Sequence, residues 1–252
     1  MLIVKEEHKI FDSNILKLIA IIAMTLDHIT WQVFSGYSTN TFAIILHIIG
    51  RITCPIMCFF IAEGFHYTHD IKKYTRRLFI FALISHIPYI LCSNNYVDYR
   101  SFIPFYYGSI FNQTSVIWSL FIGLLMLRIS YSNRIKTIWK YVLILLLCVV
   151  SFPSDWSCIA SLVVLAFGTN RGNFKKQMLL MIFYVALYAL VYFFFLDKVY
   201  GLIQMGVILS IPLLMLYNGK RGRNPKVNKF MKWFFYIYYP LHLLIIGLIV
   251  HL

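Results

Sequence analysis

The chain has 252 residues, 60% of them hydrophobic and only 13% charged. Soluble domains carry about 25% charged residues, so a soluble globular core is excluded. The net charge of +14 would suggest nucleic acid in a soluble protein, but here the basic residues collect between apolar segments, as topology signals do, and no nucleic-acid partner is expected.

The opening MLIVKEEHKIFDSN is too polar for the apolar region of a leader, and no cleavable signal peptide is expected. A helix crosses the hydrocarbon core with about 20 apolar residues, within a range of roughly 17–25. In chain order, segments 15–36, 41–62, 76–92, 113–130, 137–153, 155–168, 177–196, 199–217 and 232–252 reach or approach that length. The expected fold is all-α: a polytopic membrane protein of about nine transmembrane helices, forming a single domain over 1–252. Segments 137–153 and 155–168, parted by PSDW, are equally readable as a hairpin that stops short of a full crossing.

Alternate connections hold 20 of the 23 lysines and arginines, beginning with Lys5, Lys9 and Lys17, while the opposite connections hold only Arg100 and Lys198. Basic residues favour the cytoplasmic side, so the N-terminus is expected inside and the C-terminus outside. Cys54, Cys58, Cys92, Cys148 and Cys158 all lie in or beside apolar segments. With no spaced pair in an aqueous loop, a disulfide framework is not expected, and neither is a metal site.

Ionisable residues inside spans cost at least about 2.5–3.5 kcal/mol each on insertion scales, so each one needs a reason. Those read here are Lys17, Asp27, His28, Arg51, Glu63, His66, His86 and His242. At 1.5 Å per residue, His28 lies roughly 21 Å from the inner end of the first segment, and Arg51 roughly 15 Å from the outer end of the second. These depths nearly coincide. A connection of about four residues makes the two segments antiparallel neighbours, so Asp27, His28 and Arg51 can converge. Lys17 falls on the His28 face, about 20° beyond three full turns. One reading is a reaction centre in which a carboxylate orients a histidine. The other is a buried charge network that only locks two helices together.

Four stretches carry a resemblance to a known family. LKLIAIIAMTLDHI, GRITCPIMCFFIAEGFHYTHDIKKYTRRL, PLLMLYNGKRGR and FFYIYYPLHLLIIGLI occur in this order from residue 16 to 249, and together they resemble the TraX family of bacterial inner-membrane proteins. The match departs at His86, in SHIP, where an acid is expected more often. The resemblance implies a multi-pass protein of the bacterial cytoplasmic membrane that acetylates the N-terminus of conjugative pilin. It also implies similarity to the wider class of multi-span acyltransferases that use cytoplasmic acyl-CoA.

By that resemblance His28 is the base, Asp27 its partner, and Lys17 with the run Lys72–Arg77 holds CoA. Acetyl-CoA is then the co-substrate, and the acceptor is a pilin-like peptide or an envelope glycan at the bilayer. The chemistry is compatible with these residues. His28 takes the proton of an attacking amine or hydroxyl, and Arg51 stabilises the developing oxyanion. Lys73, Arg76 and Arg77 offer charge-assisted donors to the CoA phosphates. Lys220 and Arg221, at the Asn-Gly turn, are expected near the same phosphates. Gln113, with Asn112 beside it, His242 and Glu63 are further pocket candidates; the other reading of Glu63 is a pair with a loop lysine. Two other functions fit many spans with buried charges: a proton-coupled secondary transporter, and a non-catalytic assembly factor for pili or the envelope.

Overall fold

The structure is a computed structural model. It describes residues 9–34, 36–93, 97–103, 106 and 111–252; Lys5, counted above among the topology signals, lies outside them. The described residues are helical, with no strand beyond two isolated bridges. The helices are α1 (Ser13–Val33), α2 (Thr41–Gly50), α3 (Thr53–Tyr67), α4 (Ile71–Ile84), α5 (His86–Ser93), α6 (Val116–Ser130), α7 (Thr137–Ser151), α8 (Ser157–Thr169), α9 (Phe174–Phe195), α10 (Lys198–Ile203), α11 (Ser210–Met215) and α12 (Pro225–His251).

Among the described residues, six runs are long and apolar enough to cross a membrane: Ser13–Val33, Thr41–Tyr67, Ile71–Ser93, Phe174–Phe195, Lys198–Met215 and Pro225–His251. The apolar helices α6, α7 and α8 are shorter. At 15 residues, α6 reaches only about 22 Å, less than the hydrocarbon core of about 30 Å. Nine full crossings are therefore not reached by length. The expected segment 113–130 loses its first residues to a turn. Asn112 is left-handed at φ 51°, the Gln113 amide donates to the Pro153 carbonyl at 2.7 Å, and the Asp155 amide donates to the Thr114 carbonyl at 2.8 Å.

Three of the long runs are broken, each one turn before a proline. A proline lacks the amide donor, and its ring collides with the carbonyl four residues earlier. Pro55 acts on Arg51, where α2 gives way to α3; Pro88 acts on Ile84, where α4 gives way to α5. Pro212 acts on Ile208, within a 3₁₀ stretch (Gln204–Leu209) that joins α10 to α11. Side-chain caps satisfy the first amides of several helices. Asp12 accepts from Asn14 and Ile15, Asn40 from Phe42 and Ala43, and Asp197 from Tyr200.

The chain forms two compact units. One comprises the described residues up to Met57 together with Ile182–Tyr238. Here α1 packs along α2, and the Thr53 hydroxyl donates to the Ala20 carbonyl at 3.0 Å. Thr25 and Tyr238 share a hydrogen bond of 2.8 Å between α1 and α12. The approach of residues to α1 is stapled to the turn after α11: Phe11 donates to Leu216, Asn218 to Phe11, and Ser13 to Lys220.

The other unit comprises Cys58–Met181 and Tyr239–Leu252. Its centre is the tight pair of α6 and α8, with Leu120, Leu124, Leu127, Ala160, Val164 and Phe167 buried. Small residues allow this approach, as is common between apolar helices. At one end of the pair, buried serines hydrogen-bond across α6, α7 and α8. Ser161 donates to the Ser119 carbonyl at 2.7 Å and to Ser151 at 3.1 Å, and Ser119 donates to the Ser157 carbonyl at 2.7 Å.

Candidate functional site

In the first unit, Asp27 on α1 faces the last two turns of α2. Its Oδ2 accepts from a terminal nitrogen of Arg51 at 2.7 Å, and its Oδ1 lies 2.7 Å from Nδ1 of His47. The second terminal nitrogen of Arg51 donates to Gln204 Oε1 at 3.2 Å, and its Nε donates to the His47 carbonyl at 3.3 Å. All four residues are buried. The break before Pro55 lets Arg51 sit at the end of α2, one turn beyond His47, so both point at α1. The 3₁₀ stretch presents Gln204 to the guanidinium. Opposite Asp27, α2 carries Gly50. A Cβ there would lie 2.4 Å from Asp27 Cβ and 2.7 Å from Oδ1. The carboxylate occupies the space that a side chain at position 50 would fill.

The ion pair fixes which ring nitrogen of His47 faces the carboxylate. The Arg51 guanidinium is permanently charged and pairs with Asp27 as a carboxylate. A carboxylate only accepts hydrogen bonds, so His47 Nδ1 donates to it. In the neutral ring the lone pair then resides on Nε2. That atom is buried and, among the described residues, has no hydrogen-bond partner, and the His47 side chain is 0% exposed. Trp31, at a ring distance of 4.6 Å, and Tyr200, at 5.3 Å, pack against the imidazole. Tyr37 joins the same aromatic group, 4.9 Å from Tyr200.

The expected meeting of Asp27 with Arg51 is therefore present. His28, next along α1, is half-buried and within electrostatic reach of both Asp27 and Arg51. The sequence reading missed His47 and Gln204. His47 had a signal: it is a histidine inside a span, four residues before Arg51 and so on the same helical face. Gln204 had only its amide in an apolar segment.

Of the residues expected to hold phosphates, three belong to this unit. Lys17 lies over the Phe235 ring, 5.5 Å from its centroid, and near enough to Arg221 for their charges to repel. The exposed Lys220 and Arg221 follow the turn stapled to the start of α1. That turn is further fastened by Asn228, which accepts from Asn14 at 2.7 Å and donates to the Gly222 carbonyl at 2.7 Å. Lys73, Arg76 and Arg77 belong to the other unit, in the first two turns of α4. Lys73 is paired with Asp70 at 3.3 Å. The Lys73 backbone amide, followed by its side chain, holds the Asp70 carboxyl below its usual range. Arg77 lies 5.9 Å from the centroid of the Tyr74 ring.

The remaining candidates also belong to the second unit. Glu63 pairs with Arg171 at 2.9 Å; its partner is a loop arginine rather than the expected lysine. His66 Nε2 and the Tyr131 hydroxyl both lie 3.0 Å from the Gly168 carbonyl. His86 has contacts on both ring nitrogens, to Thr114 and to the Phe102 carbonyl. Gln113 donates to the Phe111 carbonyl at 3.1 Å, beside the left-handed Asn112. His242 is buried, edge-on to Tyr239 at 5.6 Å. Among the described residues, no group of three His, Cys, Asp or Glu side chains gathers to hold a metal.

Comparison with known proteins places this geometry in context. The family model described as TraX protein matches residues 12–250. A probable fimbrial assembly protein of Dichelobacter nodosus, serogroup H1, is 30% identical over 240 residues, covering 92% of this chain and 93% of its own. An uncharacterized protein of Rickettsia prowazekii is 30% identical over 95 residues, covering 38% of this chain and 34% of its own. No solved structure matches.

Proposed function

The chain belongs to the TraX family, and from that premise we propose that it is a membrane-embedded acyltransferase serving a pilus or fimbria. It moves an acetyl group from cytoplasmic acetyl-CoA to an amine or hydroxyl at the membrane, and a pilin N-terminus is the acceptor that family resemblance favours. The observation that carries this reading is the buried network Asp27–His47–Arg51–Gln204. Acyl transfer needs a base beside the nucleophile and positive donors beside the thioester oxygen. An imidazole held by a carboxylate, next to a guanidinium in a site shielded from water, supplies both kinds of group.

Lys17, Lys220 and Arg221 gather where α1 begins and suit the CoA phosphates. Asp27 lies ten residues along α1 from Lys17, or about 15 Å, so the flexible arm of the donor runs along α1 toward the network. With the N-terminus inside, this basic group faces the cytoplasm, where acetyl-CoA is found. Two histidines, His28 and His47, stand at the ion pair; family resemblance assigns the proton to His28.

Replacing both Lys17 and Arg221 with glutamine is expected to weaken acetyl-CoA binding by about 10²-fold or more, since each of the two charge-assisted contacts contributes about 1.5–3 kcal/mol. It should also flatten the salt dependence of binding, because fewer charges remain to be screened. Calorimetry on the purified chain in lipid nanodiscs measures both. Unchanged affinity and slope would leave the basic group as a topology signal alone.

The second reading is a non-catalytic fimbrial assembly factor, favoured by the name of the Dichelobacter nodosus relative. On that reading the Asp27 network locks α1 to α2, and the chain does not bind acetyl-CoA.

A further inference from the structure

We infer that His47 is the proton acceptor of the transfer, with Nε2 as the accepting atom and Asp27 as its positioning residue. This inference rests on the acetyl-transfer reading and deepens it, because it names the group that activates the nucleophile. Four observations lead to it. Asp27 Oδ1 engages Nδ1 of His47, and Asp27 Oδ2 engages Arg51, so the carboxylate orients this imidazole and is itself held by the guanidinium. Hydrogen bonding to a carboxylate leaves the lone pair of the neutral ring on Nε2. Among the described residues Nε2 is buried without a hydrogen-bond partner, an unfavourable state that is relieved when a donor arrives. Finally, Trp31 and Tyr200, themselves 5.2 Å apart, pack side by side against the ring and, with the Asp27 bond, hold its orientation.

A group made only to tie α1 to α2 would need Asp27 and Arg51 and no basic nitrogen beyond them. The orphaned nitrogen is the feature that a lock does not explain. Trp31 is half-buried and Tyr37 is 43% exposed, so the acceptor reaches Nε2 when the Trp31 or Tyr200 ring swings away.

The acceptor's N–H or O–H donates to Nε2. As its nitrogen or oxygen bonds to the acetyl carbonyl carbon, the proton passes to Nε2 and the ring becomes imidazolium. Asp27 stabilises that cation. The carbon–sulfur bond then breaks, the electron pair leaves with the CoA sulfur, and Nε2–H returns the proton to that thiolate. The imidazole ends neutral, and nothing is oxidised or reduced.

The test uses the full chain in nanodiscs, with acetyl-CoA as donor and a short peptide with a free N-terminal amine as acceptor probe. In His47→Asn the amide nitrogen takes the place of Nδ1 and donates to Asp27, so the ion pair survives while Nε2 and the ring contacts to Trp31 and Tyr200 are lost. Transfer is expected to fall by about 10²-fold or more, with acetyl-CoA affinity within twofold of wild type. His47→Ala opens a space for an added azole. Imidazole is expected to restore transfer at least tenfold, whereas pyrazole, of the same shape but far less basic, is not. A His47→Asn variant within fivefold of wild type would overturn the inference while leaving the transferase reading intact. So would rescue of His47→Ala by both azoles equally, or by neither. A wild-type chain that transfers nothing would overturn both.

Discussion

Replacing Arg51 with methionine is expected to destabilise the fold by about 3–5 kcal/mol, the range for removing one partner of a buried ion pair. The Asp27 and Arg51 side chains are 12% and 11% exposed, so water cannot replace the lost guanidinium. Asp27 keeps its bond to His47, but its charge is left without a counter-ion in an apolar segment. Gln204 also loses the donor its carbonyl accepts from. The second variant, Asp27→Asn combined with Arg51→Met, removes both charges and keeps an amide near His47. It is expected to be more stable than Arg51→Met alone, because the penalty comes from the uncompensated charge. Unfolding of the two variants in the same detergent micelles measures the difference. Equal loss in both would mean that packing of the Arg51 stem, rather than its charge, holds α1 to α2.

Gly50→Ala is expected to cost about 1–3 kcal/mol through overpacking and to lower transfer as well. The added methyl would lie 2.4 Å from Asp27 Cβ, an atom bonded directly to the α1 backbone that cannot rotate away. Either α1 and α2 separate or the Asp27 carboxyl turns, and both outcomes lengthen its contacts to His47 and Arg51. The same substitution at Gly36, where among the described residues no atom beyond its chain neighbours lies within 4 Å of the added carbon, tests a different effect. There φ is +72°, so any loss reports backbone strain rather than crowding. Thermal unfolding and acetyl transfer, measured together, separate the two. A Gly50→Ala chain with full stability and full transfer would show that α2 approaches Asp27 less closely than described.

Much of this site was legible before the fold. Simple rise-per-residue arithmetic put Asp27 and Arg51 at one depth on neighbouring helices, because a short connection leaves two apolar helices no other arrangement. His47 was equally within reach: the rule that singled out Arg51 as an ionisable residue in a span applies to it, and the four-residue spacing puts both on one face. The breaks at Arg51, Ile84 and Ile208 also had their prolines in plain view. They matter because a broken helix changes direction, and it is the break that turns Arg51 and Gln204 toward each other.

Other features had no local signal. Gln204 meets Arg51 across 153 positions, and no periodicity encodes such a contact. The 3₁₀ stretch that presents it has the composition of an ordinary apolar helix. The short α6 depends on hydrogen bonds from residues 113–114 to the far side of α7, at 153–155, which hydropathy cannot register. The pairing of Glu63 with Arg171 rather than a lysine likewise depends on which loop folds beside α3.

Acetyl transfer by the chain is read out by mass spectrometry of the acceptor. The purified full-length chain in nanodiscs is mixed with acetyl-CoA carrying a ¹³C-labelled acetyl group and a short peptide with a free N-terminal amine. The label is expected on the peptide's N-terminal nitrogen at a rate proportional to the amount of chain, and the rate is expected to collapse in His47→Asn. A folded chain that neither binds acetyl-CoA nor labels any amine or hydroxyl acceptor would rule out acetyl transfer and leave the Asp27 network as a helix lock in an assembly factor.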